Sequence, residues 1–133
     1  MKIVLDTNII LSSISTYSPF RIVIDKLLDA KFELIISNEV LLEYEEKIAE
    51  KFSKAAASNF IDALLMLPNV TRVNPLFFSW LLQDRDDNKF LDLYYTGRAN
   101  YLVTNDSDFD ILKQITKPEH HVIKLEEFID LIK

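Results

Sequence analysis

Short unbroken apolar runs recur along the chain, and between them apolar residues return at helical spacing. Ile3, Val4 and Leu5 form the first run, ending abruptly at Asp6-Thr7-Asn8. A run without alternation is the signature of a strand buried on both faces, so a polar turn is expected after a core strand. From Pro19 to Ala30, the positions Ile22, Val23, Leu27 and Leu28 predict a helix, with Ser18 and Pro19 as cap and first-turn residues. Phe32 to Ile36 predicts a second strand, and Ser37-Asn38 then offers capping side chains to a helix running through Phe52. Its inward stripe is Val40, Leu41, Tyr44 and Ile48, which leaves Glu43 at the stripe's edge.

A further helix is expected over Ala55 to Leu67, then a break at Pro68-Asn69 and a short extended piece from Val70 to Val73. Leu76 to Leu82 is aromatic and apolar but carries no assignable period; Phe77-Phe78-Ser79-Trp80 is assigned to the core in preference to an interface. The run Asp84-Arg85-Asp86-Asp87 opens a helix whose apolar face is Phe90, Leu91 and Tyr94. Gly97 falls near its end, where glycine most easily takes a left-handed backbone. Tyr101 to Thr104 reads as a strand, Asn105-Asp106-Ser107-Asp108 as a second polar turn, and the following residues as a short helix through Ile115. Val122 to Leu125 and Glu126 to Ile132 close the chain as strand and helix. Strands alternating with helices call for a single α/β domain over residues 1–133. Its core is a central parallel sheet of about four to five strands, with helices on both faces and right-handed crossovers.

Composition narrows the chemistry. The 133 residues are 49% apolar and 27% charged, as in a globular protein that folds alone. With no cysteine, disulfides and thiolate metal sites are excluded. The start lacks the basic region and apolar stretch of a signal peptide, and no apolar run nears the roughly 20 residues that span a bilayer. A cytoplasmic protein without membrane attachment is expected. The net charge of −6 argues against a broad nucleic-acid-binding surface, although acids can hold a cation and the cation can meet a phosphate.

In parallel sheets, sites form beyond the carboxyl ends of the strands, where Asp6 and Asp106 stand. Each alone reads as a turn or capping aspartate. If their strands are adjacent, two carboxylates face each other and repel unless a cation or proton intervenes. Oxygen-only ligands then select Mg²⁺ or Mn²⁺. Glu43 has Lys47 as an alternative partner at i+4. Asp87 is equally explained as a favourable charge at a helix start, and Asp84 either joins the site or caps that helix. Asp108 is most economically a cap for the helix that follows it, with support of the site as the other role. Thr7, Asn8 and Thr104 are suited to orient a carboxylate or a water, or to satisfy turn backbone. Asp86 and Asp92 are assigned to solvent, and His120 and His121 to the surface or a sheet edge.

Taken in order, LDTN, SNEVLLEYE, DRDDNKFLDLYY and YLVTNDSDFDIL resemble the PIN domain ribonucleases across nearly the whole chain. The family pattern has an aspartate after the first strand, an acid on the helix after the second, an aspartate opening a later helix, and a T-x-D after the next strand. These positions fall on Asp6, Glu43, Asp87 and Asp106. D-x-x-D-N-K-F-L and T-x-D-x-D are similar to a subgroup described as toxins of toxin-antitoxin modules. The resemblance implies cleavage of RNA dependent on Mg²⁺ or Mn²⁺, with these four acids holding the metal, often by a homodimer restrained by an antitoxin. Two departures stand out. The cluster Asp84 to Asp87 leaves open which aspartate is the third ligand, and Tyr94 and Tyr95 replace the small residues usual there, which bears on helix packing.

RNA contacts are expected from Lys89, Arg98, Arg85 and Lys2 near the site, or from a dimer groove. An aspartyl-phosphate phosphatase of the haloacid dehalogenase kind would need a second aspartate at position 8, which is Asn8. The standing alternative is a catalytically silent PIN-like module that binds RNA or protein.

Overall fold

In the computed structural model, which describes residues 1–75, 81–115 and 119–133 and only the backbone of Arg85, a five-stranded sheet runs in the order β3-β2-β1-β4-β5. The strands are β1 (Lys2–Leu5), β2 (Glu33–Ile36), β3 (Val70–Arg72), β4 (Tyr101–Val103) and β5 (Val122–Ile123). Every pairing is parallel, with Ile3 level with Leu34 on one side of β1 and Leu5 level with Val103 on the other. Ile3, Val4 and Leu5 are wholly inaccessible, the state that a continuous apolar run predicts for a strand covered on both faces. The edge strands β3 and β5 have only three and two residues, which limits the unpaired backbone presented to other chains.

The chain adds β2 and β3 on one side of β1, then returns to place β4 and β5 on the other. With right-handed connections, this reversal puts the helix before β4 on the opposite face from the helices that precede β3. The reversal also opens a crevice beyond the carboxyl ends of β1 and β4. The helices are α1 (Thr7–Ser13), α2 (Ile22–Leu28), α3 (Asn38–Lys51), α4 (Lys54–Met66), α5 (Arg85–Thr96) and α6 (Leu125–Ile132), with a 3-10 helix at Ser107–Gln114.

The periodicities locate most of these elements, and the exceptions have physical causes. The polar turn expected at Asp6-Thr7-Asn8 is instead the start of α1, where the Asp6 carbonyl accepts from the Ile9 amide at 3.0 Å. α1 has only seven residues, and two of its four buried positions are the polar Thr7 and Ser13, so its inward face does not show as an apolar period. α2 begins later than Pro19, because Ser18 accepts from the Phe20 amide at 3.0 Å and so closes a turn ahead of the helix. Ser37 caps α3 as expected, accepting from Val40, and Ser53, not singled out in the sequence, caps α4 by accepting from Ala56.

Gly97 departs from its expected role. Its φ is −80°, and the left-handed residue at the end of α5 is Arg98, with φ 51°. What Gly97 provides is room, since a Cβ there would stand 2.5 Å from Ile35 Cγ2 on β2. α5 lies against β1, β2 and β4. Tyr94 and Tyr95 are accommodated on another side, in a cluster with His120. Asp92 is likewise not in solvent: it is 3% exposed, on a helix whose positions 90–94 are all buried. A helix covered nearly all round has no wet face for its period to mark. The run Phe77-Phe78-Ser79-Trp80 lies outside the described residues.

Candidate functional site

Asp6 leaves β1 with its amide donating to the Val103 carbonyl at 3.0 Å, so the β1–β4 ladder itself fixes its backbone. Its carboxylate is buried, 6% exposed, and Oδ2 accepts from Thr104 Oγ1 at 2.7 Å. Burial pushes its pKa up, as do the charges of Glu43 and Asp106, while the bonds from Thr104 and the Thr7 backbone pull it down. Thr104 also accepts from the Asp106 amide at 3.0 Å. One buried hydroxyl therefore ties the two strand-end aspartates together.

Asp106 Oδ1 accepts from the Asp108 amide at 2.9 Å, which makes Asp106, not Asp108, the cap of the 3-10 helix. Asp108 is thereby free to face elsewhere. Of the two alternatives open for Asp84, capping is observed, and its carboxylate also lies close to two other aspartates. It caps α5 by accepting from the Asp86 amide at 2.9 Å, and one oxygen each from Asp84, Asp87 and Asp108 lie within 4.8 Å of one another. Asp87 joins the two groups. Its pKa is raised to about 7 by burial first, then by the charges of Asp84, Asp106, Asp6 and Asp108. Asp87 Oδ2 is buried and has no hydrogen-bond partner among the described residues.

Glu43 reaches this region from α3. Its Oε2 accepts from Thr7 Oγ1, and its Oε1 meets Lys89 Nζ at 2.6 Å. The neighbour Lys47 pairs with Glu50 instead, at 3.5 Å. Tyr44, fully buried, donates from its hydroxyl to the Leu5 carbonyl at 2.5 Å, which locks α3 to the end of β1 beside Asp6. Burial and the charges of Asp6 and Glu43 raise the Tyr44 pKa well above the usual phenol value, so it remains a donor.

Two positioning residues escaped the sequence analysis, Tyr44 and Asn88. Asn88, 5% exposed, bonds both the amide and the carbonyl of Leu82, at 3.1 and 3.2 Å. It thus holds the segment that delivers Asp84 to the start of α5. The only local signals were its place inside D-x-x-D-N-K and, for Tyr44, its place in an apolar stripe.

The expected RNA contacts do not gather. Lys2 begins β1, on the order of 13 Å along the strand from Asp6, and its amide bonds Asn100 ahead of β4. Arg98 lies past the far end of α5, so both belong to the opposite end of the sheet. Of the three whose side chains are described, only Lys89 stands among the acids, and the Arg85 side chain lies outside the described residues. Asn8 is exposed beside Thr7. His120 is buried, hydrogen-bonded through Nε2 to the Tyr95 hydroxyl, while His121 is exposed. Neither lies among the carboxylates grouped above.

A divalent cation fits this donor set. All donors are oxygen, Asp87 carries an orphaned buried oxygen, and burial together with neighbouring carboxylates raises the pKa of both Asp6 and Asp87. Among the described residues, Lys89 is the only cation paired with any of Asp6, Glu43, Asp84, Asp87, Asp106 and Asp108.

Comparison with known proteins agrees with this arrangement at the level of fold and family. VapBC2 from Rickettsia felis, solved bound to a DNA fragment from its promoter, is similar with a TM-score of 0.62 and 18% identity, over 93% of this chain and 98% of that one. VapC20 of Mycobacterium tuberculosis, described as a Sarcin-Ricin loop cleaving toxin, is similar with a TM-score of 0.59 and 14% identity, over 82% of this chain and 93% of that one. At such identities the likeness is one of fold. No match was found among curated proteins. The family model for the PIN domain matches residues 2–108, most of the chain and every acid of the site, and the chain belongs to the PIN domain family.

Proposed function

We propose that this chain is a metal-dependent ribonuclease that hydrolyses RNA phosphodiester bonds and is the toxin of a toxin-antitoxin module. The observation that carries the reading is the Asp87 oxygen, buried and unpartnered among the described residues while the charges of Asp6, Asp84, Asp106 and Asp108 bear on it. Such a group calls for a cation. Asp6, Asp87 and Asp106 would hold Mg²⁺ or Mn²⁺, with Asp84 and Asp108 flanking Asp87. When bound, the ion supplies Lewis acidity, lowering the pKa of a water and stabilising charge on the phosphate and the leaving oxygen.

The chain's own residues set the frame for that chemistry. Thr104 fixes one oxygen of Asp6 and the backbone of Asp106, which keeps two donors oriented before any ion arrives. Asn88 holds the approach to Asp84, and Tyr44 holds α3 against Leu5. Thr7 and Asn8 flank Asp6 on α1. The similarity to VapBC2 and VapC20 supports an RNA substrate and an antitoxin partner for this chain. A cytoplasmic homodimer is the working form proposed with that reading, on the family resemblance of the sequence motifs. No helix among the described residues is long and apolar enough to cross a membrane.

A silent PIN-like binding module is the second reading, favoured by the net charge of −6 and by the removal of Lys2 and Arg98 from the site. Incubation of the purified chain with mixed RNA oligonucleotides and Mn²⁺, beside Asp6→Asn, separates the two. Cleavage by the wild type alone supports the nuclease. Equal cleavage by both removes the site assignment, and cleavage by neither favours the binding module.

A further inference from the structure

Resting on the nuclease reading, we propose that Lys89 is the group of this chain that meets the scissile phosphate, and that Glu43 serves the reaction by holding Lys89 and not by binding the metal.

Both Glu43 oxygens are already engaged by donors from other helices. Oε1 is 2.6 Å from Lys89 Nζ on α5, and Oε2 accepts from Thr7 Oγ1 on α1. Asp87, in contrast, keeps an oxygen with no partner among the described residues. A carboxylate neutralised at contact distance by an ammonium is a poorer ligand for a hard cation than one left bare. The acids of the site therefore divide: aspartates available to a metal, and a glutamate committed to a lysine.

The pair is poorly explained as a stabilising device. The Lys89 and Glu43 side chains are 10% and 19% exposed. Ion pairs taken that far out of water lose in desolvation much of what they gain in attraction. What the pair does secure is a positive charge at an otherwise acidic site. An ammonium has three donors, and among the described residues one is used here. The other two are available to phosphate oxygens, for which lysine is a compact point-charge partner. A phosphodiester approaching Asp6, Asp84, Asp87, Asp106 and Asp108 needs such a charge, since one divalent ion offsets only part of theirs.

The test compares Lys89→Met, Lys89→Arg, Glu43→Gln, the Lys89→Met/Glu43→Gln double variant and Asp87→Asn. The full chain is used, Mn²⁺ affinity is measured by calorimetric titration, and cleavage kinetics are measured at saturating Mn²⁺. Glu43→Gln should keep its Mn²⁺ affinity within about threefold, while Asp87→Asn loses about tenfold or more. Lys89→Met should lower kcat by roughly 10²-fold or more with KM little changed, and Lys89→Arg should recover part of it. The Glu43→Gln loss should not add to that of Lys89→Met in the double variant. Circular dichroism identifies any variant that fails to fold, and Lys89→Gln then replaces Lys89→Met.

Loss of Mn²⁺ affinity in Glu43→Gln equal to that in Asp87→Asn overturns the assignment of Glu43. An unchanged kcat in Lys89→Met overturns the role of Lys89. If the wild type binds Mn²⁺ but cleaves nothing, the nuclease reading fails and takes the role of Lys89 with it. The affinity arm still decides whether Glu43 lies outside the metal shell.

Discussion

Thr104 and Asp6 are 98 residues apart in the chain and are joined by a 2.7 Å hydrogen bond between the ends of β4 and β1. The Thr104 hydroxyl also receives the Asp106 amide, so its removal disturbs both strand-end aspartates at once. Thr104→Val keeps the shape and deletes the hydroxyl. Mn²⁺ affinity is expected to fall about 10–100-fold, and stability by about 1–3 kcal/mol, because the buried partners go unsatisfied. Calorimetric titration and a chemical denaturation curve check the two effects. Affinity equal to wild type would show that Thr104 does not orient the ligands.

Asp87→Asn separates fold from chemistry. The substitution removes the charge that burial and four neighbouring aspartates oppose, so the metal-free variant should melt above the metal-free wild type. With Mn²⁺ present the order should reverse, because the wild type gains a bound ion that the variant holds poorly. RNA cleavage should be lost. Thermal melts with chelator and with Mn²⁺ provide the comparison, and a variant that melts lower in both conditions would contradict it.

The same residue sets a pH dependence. Its folded-state pKa of about 7 lies above the ordinary aspartate value of 3.8, so the native state binds the proton more tightly than the unfolded chain does. That contribution to stability is fully present below about pH 4 and is lost as pH rises to about 7. The raised pKa of Asp6 acts in the same direction. Metal-free protein should therefore lose stability from this source as pH climbs, with a smaller slope in Asp87→Asn. Saturating Mn²⁺ should oppose the trend, since ligands bind the ion in their deprotonated form. Denaturation midpoints at a series of pH values measure both slopes.

Two small residues test the backbone and the packing. Gly97→Ala should destabilise by about 1–3 kcal/mol, because the new methyl would stand 2.5 Å from Ile35 Cγ2. Ala30→Gly should act the other way and stabilise by about 1 kcal/mol, since Ala30 holds a φ of 57°. Opposite shifts in denaturation midpoint are expected from the pair. A neutral Gly97→Ala would mean that α5 does not press on β2 as closely as described.

Much of this molecule is written locally. Runs such as Ile3-Val4-Leu5 and Leu34-Ile35-Ile36 mark buried strands by themselves, and Ser37 announces the helix it caps. The order of Asp6, Glu43, Asp87 and Asp106 along those elements was enough to suggest one family and one end of the sheet. Partnership is another matter, because it depends on which elements become neighbours once the sheet reverses direction between β1 and β4. Nothing near Glu43 in the chain marks Lys89 in preference to Lys47. Only the packing of α3 near α5 chooses between them. The same holds for Asp106, which caps while Asp108 turns to Asp84 and Asp87, and for Gly97, whose missing side chain answers to Ile35 on another strand. Side-chain periodicity reports what one element buries, and the meeting of charges from separate elements is decided by tertiary packing alone.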